Sequence, residues 1–188
     1  MIKAEIRVLG IDDAPFEKDM DKEVLVVGTI FRGGTVLDGL LSCKVTVDGH
    51  DATAKLIAMI NRSHHKPQLQ LIMLKGVALG GFNVIDVKTL SRKTGLPVLV
   101  VIKHKPDFRA IARALSHFPD GSARLALMRA AGKIEAVGKL LMQRTGITRE
   151  RAAKVIQLTA TRGLIPEPLR VAHIIASGVV LGESRGRA

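Results

Sequence analysis

The sequence has few of the residues that several common classes of protein depend on. Cysteine occurs once, at Cys43, which excludes an internal disulfide framework and a cysteine-rich zinc site. Tryptophan and tyrosine are absent and phenylalanine occurs five times, so binding of single strands by aromatic stacking has little support. No apolar run approaches the roughly 18 residues of a membrane span, and the N-terminus lacks a signal-peptide pattern. We therefore expect a cytoplasmic protein without a membrane partner.

Acidic residues are the scarcer charge. The 188 residues include 29 Lys and Arg against 17 Asp and Glu, which gives a formal net charge of +12. Residues 101–188 carry 16 basic and 6 acidic groups, whereas residues 1–100 carry 13 and 11. Solvated helix faces explain many single charges, but they do not explain this asymmetry. A basic half beside an acidic cluster, which lies between Asp12 and Glu23, suits metal-assisted phosphodiester chemistry on a nucleic acid.

The order of predicted elements indicates the fold class. Apolar, β-branched runs that end in turn residues predict an antiparallel meander of three strands, at 5–11, 23–31 and 39–47. Two continuous apolar runs predict buried parallel strands, at 70–74 and 98–102. Helical periodicity predicts the remaining elements, at 51–63, 84–94 and about 107–117, 122–131, 148–162 and 168–182.

This order is that of a ribonuclease H-like fold. Such a fold is an α/β mixed sheet, with three antiparallel strands followed by parallel strands, flanked by helices. The length suits one domain, which we place at 1–188 with a helical C-terminal part from about residue 107.

Two pairs of aspartates are candidate metal ligands. Asp12 and Asp13 come where the first strand ends, and alternation sends their side chains to opposite faces of the sheet. A turn before Pro15 is the alternative role for this pair. Asp48 and Asp51 are the second candidates, because Mg²⁺ needs only one or two carboxylates besides water and phosphate oxygens. A turn and a helix N-cap are the alternatives for these two residues.

The glycine-rich run from Lys75 to Asp86 is not a phosphate-binding P-loop, because its lysine precedes the glycines. Asn83 is a candidate cap of the following helix, which would put Asp86 in its first turn. Lys103 closes the strand at 98–102, where it could neutralise a phosphate, and Lys105 follows closely.

The last predicted helix carries Arg170 and His173 on one face, since they are three positions apart. His173 could bind a metal or position a water molecule, although a single helical histidine is more often only packed. The basic end of the chain, with Arg185 and Arg187, suits contact with phosphates or is simply frayed.

Six segments together cover nearly the whole chain, and they are IRVLGIDDAPF, VGTIFRGG, DGLLSCKVTVDGHDAT, GGFNVIDV, TGLPVLVVIKHKPD and GLIPEPLRVAHIIASGVVLGESRGRA. These segments resemble an archaeal family related to endonuclease V, whose members are called endonuclease dU or are uncharacterised. The resemblance implies a ribonuclease H-like fold and Mg²⁺-dependent nicking of DNA near a deaminated base, with uracil suggested by the family name. It implies that the metal aspartate of the first strand is Asp12 or Asp13, that the strand-end lysine is Lys103, and that the C-terminal histidine is His173.

The sequence also departs from the endonuclease V pattern. The strand-separating wedge, Tyr-Ile/Val-Pro-Gly, is absent, and residues 36–41 read VLDGLL. The metal glutamate would fall near Lys44 and Val45, so a second carboxylate must come from Asp48 or Asp51. The expected Asp-Gly pair after the fourth strand is Lys75-Gly76, and a lysine there would weaken or replace a second metal ion.

The leading hypothesis is a DNA-repair endonuclease that uses Mg²⁺, with Mn²⁺ as an alternative. Asp12 or Asp13 with Asp48 or Asp51 would hold the ion, and Lys103 or Lys75 would stabilise the developing charge. Duplex DNA with a damaged base is the expected substrate, with RNA as another reading. The nucleic-acid contacts are expected from Lys75, Lys103, Lys105, Arg170, Arg185 and Arg187. The rival hypothesis is a non-catalytic nucleic-acid-binding protein that keeps the fold but has lost the metal site.

Overall fold

Alternating apolar residues build a seven-stranded mixed sheet in the computed structural model, which describes residues 4–185. Its strands are β1 (Arg7–Asp13), β2 (Glu23–Arg32), β3 (Val36–Thr46), β4 (Leu71–Lys75), β7 (Val98–Ile102), β8 (Glu135–Val137) and β9 (Leu140–Thr145). Two short strands, β5 (Ala78–Leu79) and β6 (Asn83–Val84), form a separate hairpin, which we call the Gly80 hairpin. The spatial order in the large sheet is β3-β2-β1-β4-β7-β9-β8.

The pairing confirms the predicted mixed sheet. β1, β2 and β3 form the antiparallel meander, and β1, β4 and β7 are parallel neighbours. The carboxyl ends of β1, β4 and β7 therefore meet at one edge of the sheet, where ligands collect in α/β folds. β1 is longer at this end than the predicted strand at 5–11, because Asp12 and Asp13 pair with Val27 and Val26 of β2.

Six helices cover the sheet in the described part of the chain. They are α1 (Ala52–Asn61), α2 (Val87–Thr94), α3 (Phe108–Leu115), α4 (Gly121–Ala130), α5 (Arg149–Thr159) and α6 (Glu167–Leu181). Between residues 4 and 185, no helix is long and apolar enough to cross a membrane.

The two faces of the sheet carry different helices. On one face, Leu9 and Ile11 pack in a core with Leu56 of α1 and Leu90 of α2; we call this the α1 face. On the other face, Val8 packs in a second core with residues of α5 and α6; we call this the α6 face. The alternation along β1 thus decides which helices each side chain can reach.

Two sequence expectations about elements need correction. The helix expected at 84–94 begins at Val87, because residues 83–84 pair with residues 78–79 and Asp86 forms the cap by accepting from the Thr89 amide. Asn83 does not cap that helix; its Oδ1 accepts from the Ala52 amide at the start of α1 instead. The part beyond residue 107 is not only helical, since β9 pairs antiparallel with β7 and β8 pairs antiparallel with β9 at the end of the sheet.

Candidate active site

The end of β1 presents one carboxylate to each face of the sheet. Val8, Gly10 and Asp12 alternate toward the α6 face, and Leu9, Ile11 and Asp13 toward the α1 face. Parallel pairing sets Ile11 beside Leu74, so Lys75 at the end of β4 follows directly beside Asp12. Lys75 also continues the alternation of Leu71 and Met73, which belong to the core of the α6 face. Asp12 and Lys75 therefore meet on one face and at one edge.

Close packing of α6 on β1 brings in a third side chain. A Cβ atom added to Gly10 would lie 2.4 Å from the backbone carbon of Pro168, so only glycine permits this approach. Thr29 of β2 fixes the same end of α6, because its hydroxyl donates to the Pro168 carbonyl oxygen at 2.6 Å. His173, on the first turns of this helix, consequently reaches Asp12.

Asp12, Lys75 and His173 form a compact group, which we call the Asp12 centre. The Asp12 Oδ2 atom lies 3.0 Å from Lys75 Nζ and 3.0 Å from His173 Nδ1, and those two nitrogens are 3.3 Å apart. The side chains are 5% exposed for Asp12, 18% for His173 and 29% for Lys75. The centre is thus a half-buried ion pair with a histidine against it.

One atom of the Asp12 centre has no partner in the described part of the protein. His173 Nε2 is buried, and no donor or acceptor among residues 4–185 reaches it. A buried polar atom of this kind costs free energy in the free protein, and a ligand that contacts it removes the cost. The imidazole ring is thus held at Nδ1, and its Nε2 atom is left without a hydrogen-bond partner.

Asp13, on the α1 face, binds the Gly80 hairpin. Its Oδ2 accepts from the Gly80 amide at 2.7 Å. Burial raises the pKa of Asp13 to about 6, helped by the neighbouring charge of Asp12 and opposed by the Gly80 hydrogen bond and by Lys75. Asp13 is therefore separated from the Asp12 centre by the strand that carries both residues.

Asp48 and Asp51 also bind the hairpin region and do not join the Asp12 centre. Asp48 Oδ1 accepts from the Phe82 amide at 2.8 Å, and its other oxygen lies 3.0 Å from Lys18 Nζ. Asp51 accepts from the amide and the hydroxyl of Thr46 and, at 2.6 Å, from Asn83 Nδ2. Burial raises the pKa of Asp51, but these hydrogen bonds outweigh it and the net shift is downward. The carboxylates of Asp48 and Asp51 bind different groups and do not meet at one site. Their role as metal ligands therefore stays a prediction.

Arg124 was missed by the sequence reasoning. Its side chain on α4 is 6% exposed, and its guanidinium donates to the carbonyl oxygens of Asp48 and Phe82 at 2.8 and 2.7 Å. It also pairs with Asp120 four residues earlier at 2.8 Å. That spacing was the one available signal, because an i,i+4 pair at a helix start is visible in sequence, whereas the carbonyl contacts across the chain are not.

The structure describes four of the other predicted phosphate-binding residues, Lys103, Lys105, Arg170 and Arg185. Lys103 and Lys105 are exposed and follow β7 at the edge that also holds the Asp12 centre. Arg170 makes a bidentate salt bridge with Glu167, with hydrogen bonds of 2.8 and 2.7 Å, and Arg185 pairs with Glu183. Arg187 lies outside the described residues.

A cavity of about 230 Å³ is lined in part by Gly76, the residue that follows Lys75. Its walls are mainly apolar, and they include Gly76, Val77, Ile102 and Phe108. The cavity lies at the carboxyl ends of β4 and β7, and its lining residues Val77 and Ile102 pack against the core of the α1 face.

The residues present do not fit the divalent ion that the resemblance implies. The carboxylate expected to hold it, Asp12, already has the Lys75 ammonium at 3.0 Å. Within residues 4–185 no three His, Cys, Asp or Glu side chains are grouped so that they could hold a metal ion. A second positive ion beside the ammonium would be repelled at short range.

Comparisons with known proteins place the chain in a family and a fold. A profile of the family described as endonuclease dU matches residues 4–180. A UPF0215 protein of Methanothermobacter thermautotrophicus is 54% identical over all of this chain and 94% of its own length. A UPF0215 protein of Pyrococcus furiosus is 46% identical over 97% of this chain and 96% of its own length.

Solved structures give the same fold. A protein of unknown function from Archaeoglobus fulgidus superposes with a TM-score of 0.86 at 36% identity, and the match covers 93% of this chain and 98% of that one. The endonuclease V of Ciona intestinalis, in complex with DNA that contains an inosine followed by a ribo-adenosine, superposes with a TM-score of 0.61 at 13% identity, over 94% and 87% of the chains. At that identity the likeness shows the fold alone, and the fold is the ribonuclease H-like one predicted from the sequence.

Proposed function

The chain belongs to the endonuclease dU family, and from that premise we propose that it is an endonuclease that nicks DNA at or near a deaminated base. Uracil is the base that the family description indicates. The observation that carries the proposal is the convergence of Asp12, Lys75 and His173 at the carboxyl edge of the parallel strands. The role in DNA repair follows from the choice of a deaminated base as target.

The chemistry assigned to the Asp12 centre is hydrolysis of a phosphodiester. A water oxygen bonds to phosphorus, the bond from phosphorus to one nucleoside oxygen breaks, and the proton lost by the water balances the one that the leaving oxygen gains. His173 Nε2, the buried atom without a partner in the described chain, is the position we assign to proton transfer. Lys75 supplies positive charge for the phosphate oxygens, and Asp12 orients both.

DNA is the proposed partner for two reasons. The endonuclease V of Ciona intestinalis is solved with DNA, and this chain shares its fold. Lys103 and Lys105 stand at the edge of the Asp12 centre, where they could contact a backbone.

Mg²⁺, or Mn²⁺ in its place, stays the cofactor that the resemblance predicts. The described residues form no fitting site for it, so the steps above are written for the side chains alone. The nicking assay decides whether an ion is required.

The test is nicking of a labelled duplex that carries one uracil, beside the same duplex with thymine, a single strand and an RNA duplex. Each substrate is incubated with Mg²⁺, with Mn²⁺ and with a chelator. Uracil-dependent nicking by the wild type that Asp12→Asn abolishes supports the proposal. Asp107→Asn is the matched control, because Asp107 caps α3 away from the Asp12 centre. Preferential cutting of RNA would change the substrate class.

A non-catalytic nucleic-acid-binding protein is the second candidate. The observation that favours it is the ion pair between Lys75 and Asp12, which neutralises the carboxylate that endonuclease V chemistry would need. Under this reading, the protein binds all nucleic acids tested and yields no product with either ion or with the chelator.

A further inference from the structure

The place of Lys75 has a consequence for metal binding. The sequence predicts that a lysine in this position weakens or replaces a second metal ion. Its ammonium instead contacts Asp12 itself, the carboxylate that would hold the other ion. The same ammonium lies 3.3 Å from His173 Nδ1, so it touches both candidate ligands at once.

The remaining carboxylates offer no substitute site. Asp13 faces the opposite side of β1 and accepts from the Gly80 amide. Asp48 and Asp51 bind the Phe82 amide and the Thr46 and Asn83 side chains. A divalent ion would therefore meet one carboxylate and one imidazole, with the Lys75 ammonium in contact with both.

Lys75 is chemically suited to act as the cation itself. A lysine ammonium is a compact charge with three donors. Its hydrogen bond to Asp12 uses one of them, so at least one is left for a phosphate oxygen with either tautomer of His173. The ammonium is partly exposed, so a phosphate can reach it without opening the fold. The ion pair also holds the ammonium in place before a substrate arrives.

We propose that the Lys75 ammonium is the resident cation of the Asp12 centre and excludes a divalent ion from it. This proposal rests on the function proposed above only in its second part, the contact between Lys75 and a phosphate. The exclusion of the ion is a property of the free protein and does not depend on nuclease activity.

The experiment measures Mn²⁺ binding to the full chain without nucleic acid, by titration calorimetry and by the electron paramagnetic resonance signal of free Mn²⁺. The proteins are the wild type, Asp12→Asn, Lys75→Asp, Lys75→Met and the double variant Lys75→Asp/Asp12→Asn. Lys75→Asp would group two carboxylates with His173, and Lys75→Met removes only the charge. Circular dichroism confirms that each variant is folded.

The wild type is expected to bind Mn²⁺ no more tightly than Asp12→Asn. Lys75→Asp is expected to bind at least about 10-fold more tightly, and the double variant is expected to lose that gain. If Lys75→Asp does not fold, Lys75→Met tests the exclusion instead. It is expected to show a smaller gain in Mn²⁺ affinity.

Two results overturn the proposal. One is wild-type binding that Asp12→Asn abolishes, which would show that the ion displaces Lys75. The other is a folded Lys75→Asp or Lys75→Met with no gain, which would show that Lys75 is not what excludes the ion. Failure of the nuclease proposal is recognised separately, since it appears as absence of product and leaves these binding results unchanged.

Discussion

The Asp12 centre and the Gly80 hairpin lie on opposite faces of the same strand end, and both depend on carboxylates. At the centre, Asp12 is bound by two side chains that can carry charge, Lys75 and His173. At the hairpin, Asp13 and Asp48 accept from the backbone amides of Gly80 and Phe82, and the second oxygen of Asp48 pairs with an exposed lysine, Lys18. A carboxylate bound by backbone amides shapes a loop, whereas one bound by a lysine and a histidine holds groups that can act on a ligand.

Proximity in sequence therefore does not predict a shared role. Asp12 and Asp13 are neighbours, but alternation sends them to different faces and different partners. Substitutions that separate activity from stability can therefore test whether the two regions differ as the contacts indicate.

The largest expected effect is on catalysis. Asp12→Asn keeps the shape of the side chain but removes the charge that orients Lys75 and His173. We expect nicking to fall by about 10²–10⁴-fold, the range for loss of positioned acid–base chemistry. Steady-state nicking of the uracil duplex measures the fall, and thermal melting shows whether the variant still unfolds cooperatively. Nicking by Asp12→Asn at near the wild-type rate would show that the Asp12 centre is no more important for catalysis than the Gly80 hairpin.

The next effect is on stability. Asp51→Ala removes the acceptor of three hydrogen bonds from Thr46 and Asn83. We expect a loss of about 2 kcal/mol in the free energy of unfolding, which for a chain of this size lowers the melting temperature by about 4–8 °C. Nicking per folded molecule should stay within about threefold of the wild type, because the Asp12 centre is untouched.

Asp107→Ala is the matched control for that measurement. Asp107 accepts from two backbone amides at the start of α3, outside the Gly80 hairpin, so its loss should cost about 1 kcal/mol. An Asp51→Ala variant that is as stable as the wild type but inactive would assign Asp51 to the active site and contradict the comparison.

A third test uses pH. The folded pKa of Asp13 is about 6, raised from 3.8 chiefly by burial, so the folded protein binds a proton that the unfolded chain releases near pH 4. The stability from this proton is present below pH 4 and is lost as the pH rises through about 6. We expect Asp13→Asn to match the wild type at pH 4 and to exceed it at pH 7, by at most about 3 kcal/mol. Urea unfolding across this range measures the difference.

Asp51→Asn should show the opposite sign in the same experiment. The pKa of Asp51 is lowered by its hydrogen bonds from Asn83 and Thr46, which together outweigh burial. Its contribution to stability is therefore present at neutral pH and is lost as the pH falls through its lowered pKa. Identical profiles for the two variants would show that both carboxylates sit in similar surroundings.

The sequence predicts the Asp12 centre better than it predicts the hairpin. Period-2 alternation and the parallel strand ends are local patterns, and they predict opposite faces for Asp12 and Asp13 and a shared edge for Lys103. The contacts of Asp48 and Asp51 with residues more than 30 positions away or across a turn leave no periodic signal. Their local surroundings suit a turn, a cap or a metal site equally well.

Two strands of the large sheet were missed for a related reason. β8 has three residues, and β9 mixes apolar and polar side chains, so neither gives the continuous apolar run that predicts β4 and β7. Sheet pairing supplies what local propensity lacks, since residues 141–145 of β9 lie opposite residues 98–102 of β7 and β8 pairs with β9.

The smallest expected effect concerns where nucleic acid lies. Lys105 follows β7 at the edge of the Asp12 centre, whereas Arg151 lines a cavity with Leu71 and Pro97 at the opposite edge. If the backbone lies along the first edge, Lys105→Ala should weaken binding about 2–5-fold at moderate salt. It should also reduce the slope of log affinity against log salt by about 1, because one phosphate contact is lost. Arg151→Ala should change neither quantity, and equal losses in both variants would indicate a diffuse attraction to the whole basic surface.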